Sequence, residues 1–555
     1  MTETVIVHCI NTDQYKEIPV GTSLVDLIDL FGVKMPYMIA NAKVNNKTES
    51  LTYRVYRPKK VEFVDLSNSS AMRTYVRSLC FILAKAVDDI LPQAKMYIEH
   101  AVSKGYYFHI DSEVPVGKIE LDAVRNRMKE IVKADIPFIQ VEEETEVVAD
   151  LFKKLGKDDK AQLLETSDLL YARYSKLGNY IDYFYGCLTP STGYITMFDI
   201  QPHNGGFLLR VPNRHNPVEL EPEVYQEKLL NVYREHLNFL KISELDNVGD
   251  LNTAIKEDKV YEVIQVAEAY QSMQITEIAN EISKRFKDGV RVVFISGPSS
   301  SGKTTFRKRL EVQLRVNLLK PVGISLDDYF IDRDKTPLDE NGEKDYESLY
   351  ALNLELFEEH MLKLMKGDKV ELPYYNFVSG MSEYRGNFLK MDENSILIVE
   401  GIHGLNPELT SHIPSENKFL IYVSALTTIS LDDHNWIPAS DNRLIRRMVR
   451  DYTYRGYSAQ QTISRWDSVR RGEDKWIFPF QENADVMFNS AMIYELAAIR
   501  QHAEPILMQV PKTVPEYSEA YRLLKFLSYF NHITDRELPP TSLLREFLGG
   551  SSFRY

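Results

Sequence analysis

Gly297-Pro298-Ser299-Ser300-Ser301-Gly302-Lys303-Thr304 is the stretch that decides the fold of the C-terminal half of this chain. It matches GxxxxGK[ST] in full. The apolar run Val292–Ile295 precedes it and reads as a buried strand, and Thr305–Leu314 follows it and reads as helical. Strand, glycine-rich turn and helix in that order build a phosphate cradle. The glycines let the backbone curl until its N–H groups converge on phosphate oxygens. The helix N-terminus adds partial positive charge. Lys303 is placed to reach the β and γ phosphates, and the Thr304 hydroxyl to ligate Mg2+. Gly297, Pro298, Ser299, Ser300, Ser301, Gly302, Lys303, Thr304 and Thr305 are therefore the expected ATP-binding residues, with ATP and Mg2+ as the expected cofactors. A chance Gly/Ser-rich turn would lack these flanks.

Outward from the loop, short apolar strands alternate with helices: Val322–Ser325, Ile396–Val399 and Phe419–Val423. That alternation predicts a parallel sheet with helices on both faces. In such a sheet the strand C-termini face the ligand crevice. Ser395–Gly401 ends one strand in Glu400, placed to hold Mg2+ or its water shell. Ile324–Phe330 ends another in Asp327-Asp328, and a kinase needs a carboxylate there to take the proton of the acceptor hydroxyl. Read alone, these would be a solvent-facing Glu and an acidic turn. Asp441–Asp451 carries Arg443, Arg446, Arg447 and Arg450 at i, i+3, i+4 and i+7, with Arg455 beyond. A charge stripe is ordinarily a solvated face. Beside a phosphate loop it reads as a lid whose arginines neutralise a phosphoryl group in transfer.

The chain has 555 residues, 44% apolar and 26% charged, which suggests three or four soluble domains. Lys+Arg 66 against Asp+Glu 80 leaves a net charge of −14, so broad nucleic-acid binding is not expected. Three scattered cysteines, Cys9, Cys80 and Cys187, exclude a disulfide scaffold and a four-cysteine zinc site and fit a reducing cytoplasm. No apolar run approaches the ~18 residues of a membrane span. The opening, Met1–Thr4, lacks the basic start of a signal peptide. The expectation is a cytoplasmic protein, and a homo-oligomer is compatible with it.

The first 65 residues read as short strands around one helix. Val5–Val7 and Val61–Asp65 are strand candidates, Ala42–Lys47 reads as a strand then a turn, and Ser23–Ile28 is a helix that Thr22 or Ser23 caps. Residues 66–215 read as α+β, with a helix over Arg73–Ile90 ended by Leu91-Pro92 and a strand at Gly105–Ile110. Residues 216–288 read as a helical connector, in which Ile275, Ile278, Ala279, Ile282 and Phe286 line one helical face up to Gly289. The predicted organisation is multidomain α/β and α+β: a β-grasp module at 1–65, an α+β domain at 66–215, the connector at 216–288 and a P-loop domain with a tail at 289–555.

Six segments in order, GPSSSGKTT, SLDDYF, LPYYNF, IVEGIHGL, RLIRRMVRD and ENADVMF, resemble the uridine kinase/phosphoribulokinase family of P-loop kinases over roughly residues 290–490. The resemblance implies that Asp327 is the catalytic base, Glu347 holds ribose hydroxyls and Tyr375 lies beside the nucleobase. Lid arginines would fall among Arg446, Arg447, Arg450 and Arg455. Of these, Arg446 and Arg450 are expected on the transferring group and Arg447 and Arg455 on the substrate. Uridine–cytidine kinases carry a base-reading His five residues after that Tyr, where this chain has Gly380, and their ribose Asp is here the longer Glu347. Pyrimidine specificity therefore does not carry over.

Residues 1–65 resemble a TGS domain, and ~66–215 resemble the editing domain of threonyl-tRNA synthetase, through Leu91–Ile98, Gly105–Phe108 and Tyr180–Tyr183. The synthetase's HxxxH positions hold Arg77 and Phe81, and its later Cys and His positions hold Phe184 and Leu188. The resemblance implies the fold without the hydrolysis. The combination with a kinase looks like a bacterial group labelled nucleoside kinase, whose tail Leu543–Ser551 also resembles. The expected activity is transfer of the ATP γ-phosphate to a small-molecule hydroxyl, foremost a nucleoside 5′-OH. Two alternatives stay open: an RNA- or tRNA-binding protein in which ATP is a switch, and a P-loop kinase of a sugar or small acid.

Overall fold

In the computed structural model, residues 3–339 and 342–554 are described. Met1 and Thr2, part of the opening used for the signal-peptide reading, lie outside them. Residues 4–65 form the strands β1 (Thr4–Cys9), β2 (Gln14–Pro19), β3 (Ile39–Val44), β4 (Lys47–Ser50) and β5 (Lys59–Asp65), in the order β2-β1-β5-β3-β4. Helix α1 (Leu24–Phe31) packs Leu24, Leu27 and Phe31 onto the sheet. Ser23 and Asp26 exchange the two bonds of a capping box, and Gly32 ends the helix in the left-handed region at φ 63°.

Helix α2 (Ser69–Ile90) starts four residues before the expected Arg73, because Asn68 accepts a hydrogen bond from the Ser70 N–H and caps it there. It is buried along nearly its whole length. Strands β6 (Lys95–Val102) and β7 (Gly105–Asp111) are followed by helix α3 (Lys118–Lys133) and strand β8 (Phe138–Glu144). Helices α4 (Thr145–Lys154) and α5 (Asp158–Thr166) come next. Strands β9 (Tyr171–Leu177), β10 (Tyr180–Asp182), β11 (Asp199–His203) and β12 (Gly206–Arg210) complete two sheets, β11-β12-β7-β6 and β8-β9-β10. The connector is three helices: α6 (Glu227–Ile242), α7 (Val248–Lys256) and α8 (Val260–Lys287). The α8 face Ile275, Ile278, Ala279 and Ile282 packs into the core of the P-loop unit.

That unit holds a five-stranded sheet, β14 (Lys320–Ser325), β17 (Ser395–Glu400), β13 (Val292–Ser296), β18 (Lys418–Ser424) and β19 (Val486–Asn489), paired in that order and parallel throughout. All five residues of β13 are buried, as a central parallel strand covered on both faces requires. Helix α9 (Lys303–Val316) follows the loop, and α10 (Leu354–Met365) precedes a separate hairpin, β15 (Val370–Asn376) with β16 (Met381–Leu389). Helices α11 (Ala439–Arg450), α12 (Ala459–Trp476), α13 (Glu495–Met508) and α14 (Tyr517–Leu527) complete it, with the one-turn α15 (Arg545–Leu548) in the tail. Among the described residues no helix is long and apolar enough to cross a membrane.

The halves share one hydrophobic core, in which Val148, Leu164 and Tyr183 join Leu251, Leu444 and Leu523. The segment between β18 and α11 inserts into the N-terminal half. Lys160 Nζ donates to Asp432 at 2.6 Å, Asn435 Nδ2 to the Tyr183 carbonyl at 3.0 Å, and the Ile98 N–H to the Asp433 carbonyl at 2.8 Å.

Candidate active site

The loop's shape is imposed by its contacts. A Cβ on Gly297 (φ 156°) would overlap the carbonyl of Val423 on β18, so the first loop position admits glycine alone. Gly302 caps α9 at φ 82°, and a Cβ there would lie 2.5 Å from Leu543 in the tail. Ser299 is held at three points. Its N–H donates to Glu473 at 3.1 Å, its carbonyl accepts from Arg443 at 3.1 Å, and its hydroxyl meets Arg447 Nη1 at 3.0 Å. The Ser300 carbonyl accepts from Arg446 at 3.4 Å, and the Ser301 carbonyl from the Ser490 hydroxyl.

Lys303 Nζ donates to the carbonyls of Gly297 (2.9 Å) and Pro298 (3.1 Å). Burial lowers its pKa against the pull of Glu400 and Asp327. Thr304 Oγ1 donates to Glu400 at 3.1 Å, and Glu400 also pairs with Arg307 at 3.4 Å. A hydroxyl and a carboxylate meeting at the loop are hard oxygen donors of the kind Mg2+ takes, so these two residues fit that ion.

Two carboxylates stand across from the lysine. The Asp327 side chain reaches solvent, yet the surrounding protein raises its pKa against Lys303, Arg455 and Arg450. Its neighbour Asp328 turns to the hairpin and accepts from the Tyr375 N–H at 3.4 Å. Glu347 is pushed up to about 7 by burial, with Arg447 opposing and Glu473 adding to the rise. It fits only because α12 has Gly472 at the contact, where a Cβ would overlap the Glu347 side chain.

The α11 stripe is neither a solvated face nor a row of equivalent lid cations. Arg443 is buried in a bidentate pair with Glu473. Arg446, expected on the transferring phosphoryl group, is corrected by the structure. It is fully buried, its Nε and Nη2 meet Glu495, and its remaining bonds go to Ser490 and Ser300. A guanidinium committed behind the loop braces it and is not placed over it. Arg450 lies nearer the crevice, lowered to about 10 by burial and by Arg455, and its buried Nε has no hydrogen-bond partner among the described residues. Arg455 is half exposed and pairs with Asp451 at 3.2 Å. Tyr375 is 4% exposed, between Phe330 and Phe377, so its ring belongs to the hairpin's aromatic cluster. Gly380 (φ 73°) turns the hairpin against Arg333, which a Cβ would meet at 2.7 Å.

Sequence reading missed Glu473, Ser490, Glu495 and Glu546 around the loop. Each lies on an element far along the chain, and no local pattern links it to Gly297–Thr304.

The positions of the editing motif hold a different arrangement. Phe81 stacks on Phe184 at 5.1 Å and lies against Phe138 (5.4 Å) and Tyr180 (5.9 Å). His434, from the segment before α11, stacks on Phe184 at 5.8 Å and hydrogen-bonds Asp182 at 2.9 Å. Burial alone would raise Asp182, but Lys160, Lys157 and His434 hold it well below the ordinary carboxylate range. Arg77 lies over the Tyr185 ring. Cys80 is buried and its thiol pushed up, and burial raises Cys187 to about 11.

Residues 292–496 match the model of the Phosphoribulokinase / Uridine kinase family. The N-terminal region is similar to threonine–tRNA ligases. It is 27% identical over 194 residues to that of Syntrophomonas wolfei subsp. wolfei and 28% over 194 residues to that of Desulforamulus reducens. Each alignment covers 35% of this chain, and the chain spans about 30% of the length of these relatives. Among solved structures, a D-glycerate 3-kinase from Cryptococcus neoformans var. grubii is similar at 12% identity and TM-score 0.29, over 38% of this chain and 89% of that one. A Bacillus stearothermophilus protein described as a "Possible Uridine Kinase" is similar at 18% identity and TM-score 0.25, over 38% of this chain and 100% of that one.

Proposed function

We propose that this protein, whose P-loop unit matches a kinase family, transfers the γ-phosphate of ATP to a hydroxyl of a nucleoside. The observation that carries the reading is the pair of carboxylates, Asp327 and Glu347, both within the field of Lys303. Asp327 takes the acceptor proton as the new O–P bond forms and the bond between the β and γ phosphates breaks, releasing ADP. Glu347, when ionised, accepts hydrogen bonds from the acceptor's other hydroxyls. Lys303, Arg450 and Arg455 spread the charge of the transferring group. Thr304 and Glu400 would hold Mg2+, which neutralises phosphate charge when bound.

A neutral polyol suits Glu347 better than an anionic sugar phosphate or acid. Gly380 offers no side chain to read a base edge, so selectivity extends beyond pyrimidines. ADP formation with Mg-ATP over a panel of nucleosides, sugars and small acids tests this. Turnover with nucleosides, purines included, is the expected result. Turnover restricted to sugars or small acids would overturn the nucleoside assignment, and none with any acceptor would overturn the kinase.

A further inference from the structure

The tail residues Leu543–Ser551 have no part in the chemistry above, yet they sit on the phosphate loop. Leu543, Leu544 and Phe547 are fully buried. Leu543 lies against Gly302, and Phe547 packs in the core with Phe306. These anchors deliver the intervening Glu546 to the start of α9. Its Oε2 accepts from the Thr305 hydroxyl at 2.7 Å and from the Thr305 N–H at 3.2 Å. The other oxygen lies 3.7 Å from Arg450 Nη1. The carboxylate is 7% exposed.

We infer that Glu546 is a built-in competitor of the nucleotide, occupying an anion position of the loop that a phosphate of ATP must take. The inference rests on the kinase reading and deepens it. Thr305 N–H is among the first-turn donors of α9, and the N-terminal turn of a helix favours an anion. A carboxylate oxygen and a phosphate oxygen cannot accept from the same N–H and hydroxyl at these distances. Their charges also repel in a site with little water to screen them. Nucleotide therefore binds the fraction of molecules in which Glu546 has swung away, and the apparent affinity falls by that fraction. Arg450 is the nearest cation to receive the displaced carboxylate. The apolar anchors on either side keep the tail docked, so the motion is that of one side chain.

Calorimetric titration of the full-length protein with Mg-ATP and with inorganic tripolyphosphate tests this in wild type, Glu546→Gln and Glu546→Ala. Gln keeps the shape and a neutral acceptor, so it separates charge from packing. Thermal melting of each variant reports whether the fold survives. Both ligands should bind the variants about 5- to 30-fold more tightly than wild type, while adenosine affinity stays unchanged. Equal or weaker tripolyphosphate binding by a folded Glu546→Gln variant would overturn the inference and make Glu546 a brace of the loop. Absence of ATP binding in wild type and variants alike would instead overturn the kinase reading beneath it.

Discussion

The cleft around Lys303 and the cleft around Phe184 lie in one chain and were treated oppositely. In the first, charged side chains converge on a backbone loop and several are left with capacity to spare: among the described residues Lys303 bonds only carbonyls, Asp327 reaches solvent, and Arg450 Nε has no partner. In the second, Arg77, Phe81, Phe184 and Leu188 stand at the four positions compared with the synthetase domain, and the two rings stack on each other. The charges nearby are neutralised within the protein by Lys160, Asp182, Asp432 and His434. A reactive site keeps polar groups under-satisfied at a cost in stability. A structural cluster satisfies them. The segment leading into α11 packs on this cluster, with His434 stacked on Phe184 and Asn435 bonded to Tyr183 and Tyr185.

The sharpest way to break this comparison is Lys303→Ala. It should lower kcat/KM at least ~10²–10³-fold, the cost of deleting a donor aimed at developing charge. Wild-type turnover in that variant would remove the first cleft from the active class. Asp327→Asn should cut kcat by ~10²–10⁴-fold while leaving ATP binding near normal. Asp328→Asn should do less, since Asp328 is turned to the hairpin backbone. Reversed effects would move the base by one residue.

On the other side, Asp432→Ala takes one of two carboxylates from the buried Lys160. It should destabilise the protein by about 2–4 kcal/mol, at or below the range for breaking a buried pair, because Asp182 remains 3.2 Å away. Denaturant unfolding measures it, and no loss of stability would mean that this pairing contributes nothing to joining the halves.

A finer test is pH. Glu347 titrates at about 7, so acceptor KM should rise about tenfold per unit below that value while it loses its charge. Glu347→Gln should flatten the profile. The sign for folding is the reverse. A carboxyl raised in the folded state adds stability in full below its ordinary value of 4.5, and that contribution is lost as pH rises to about 7. The smallest expected effect is none. The full-length protein should hold no stoichiometric zinc and should not hydrolyse Ser-tRNA(Thr), because Phe, Leu and Arg are not zinc ligands. One equivalent of zinc by metal analysis, or deacylation above background, would return the second cleft to the active class.

Local chemistry determined much of this from the sequence alone. Consecutive residues make the loop, so Gly297–Thr304 announces its conformation and motivates the phosphate ligand proposed for it. The buried strands β13 and β17, a cap at Thr22 or Ser23 and the helical face of α8 follow from periodicity and capping, which act over a few residues. What only the tertiary structure decided lies between residues far apart. Arg446 belongs to the same helical stripe as Arg450, and helical spacing cannot tell them apart. Their surroundings diverge because Glu495 holds Arg446 while Arg450 lies beside Glu546. Asp327 and Asp328 are adjacent and alike until the fold turns them to different neighbours. Glu546 reaches Thr305 across 241 positions, and nothing in the tail's composition states where it docks. The physical reason is common to all three. A charged side chain has no fixed role until packing sets its partners and its distance from water.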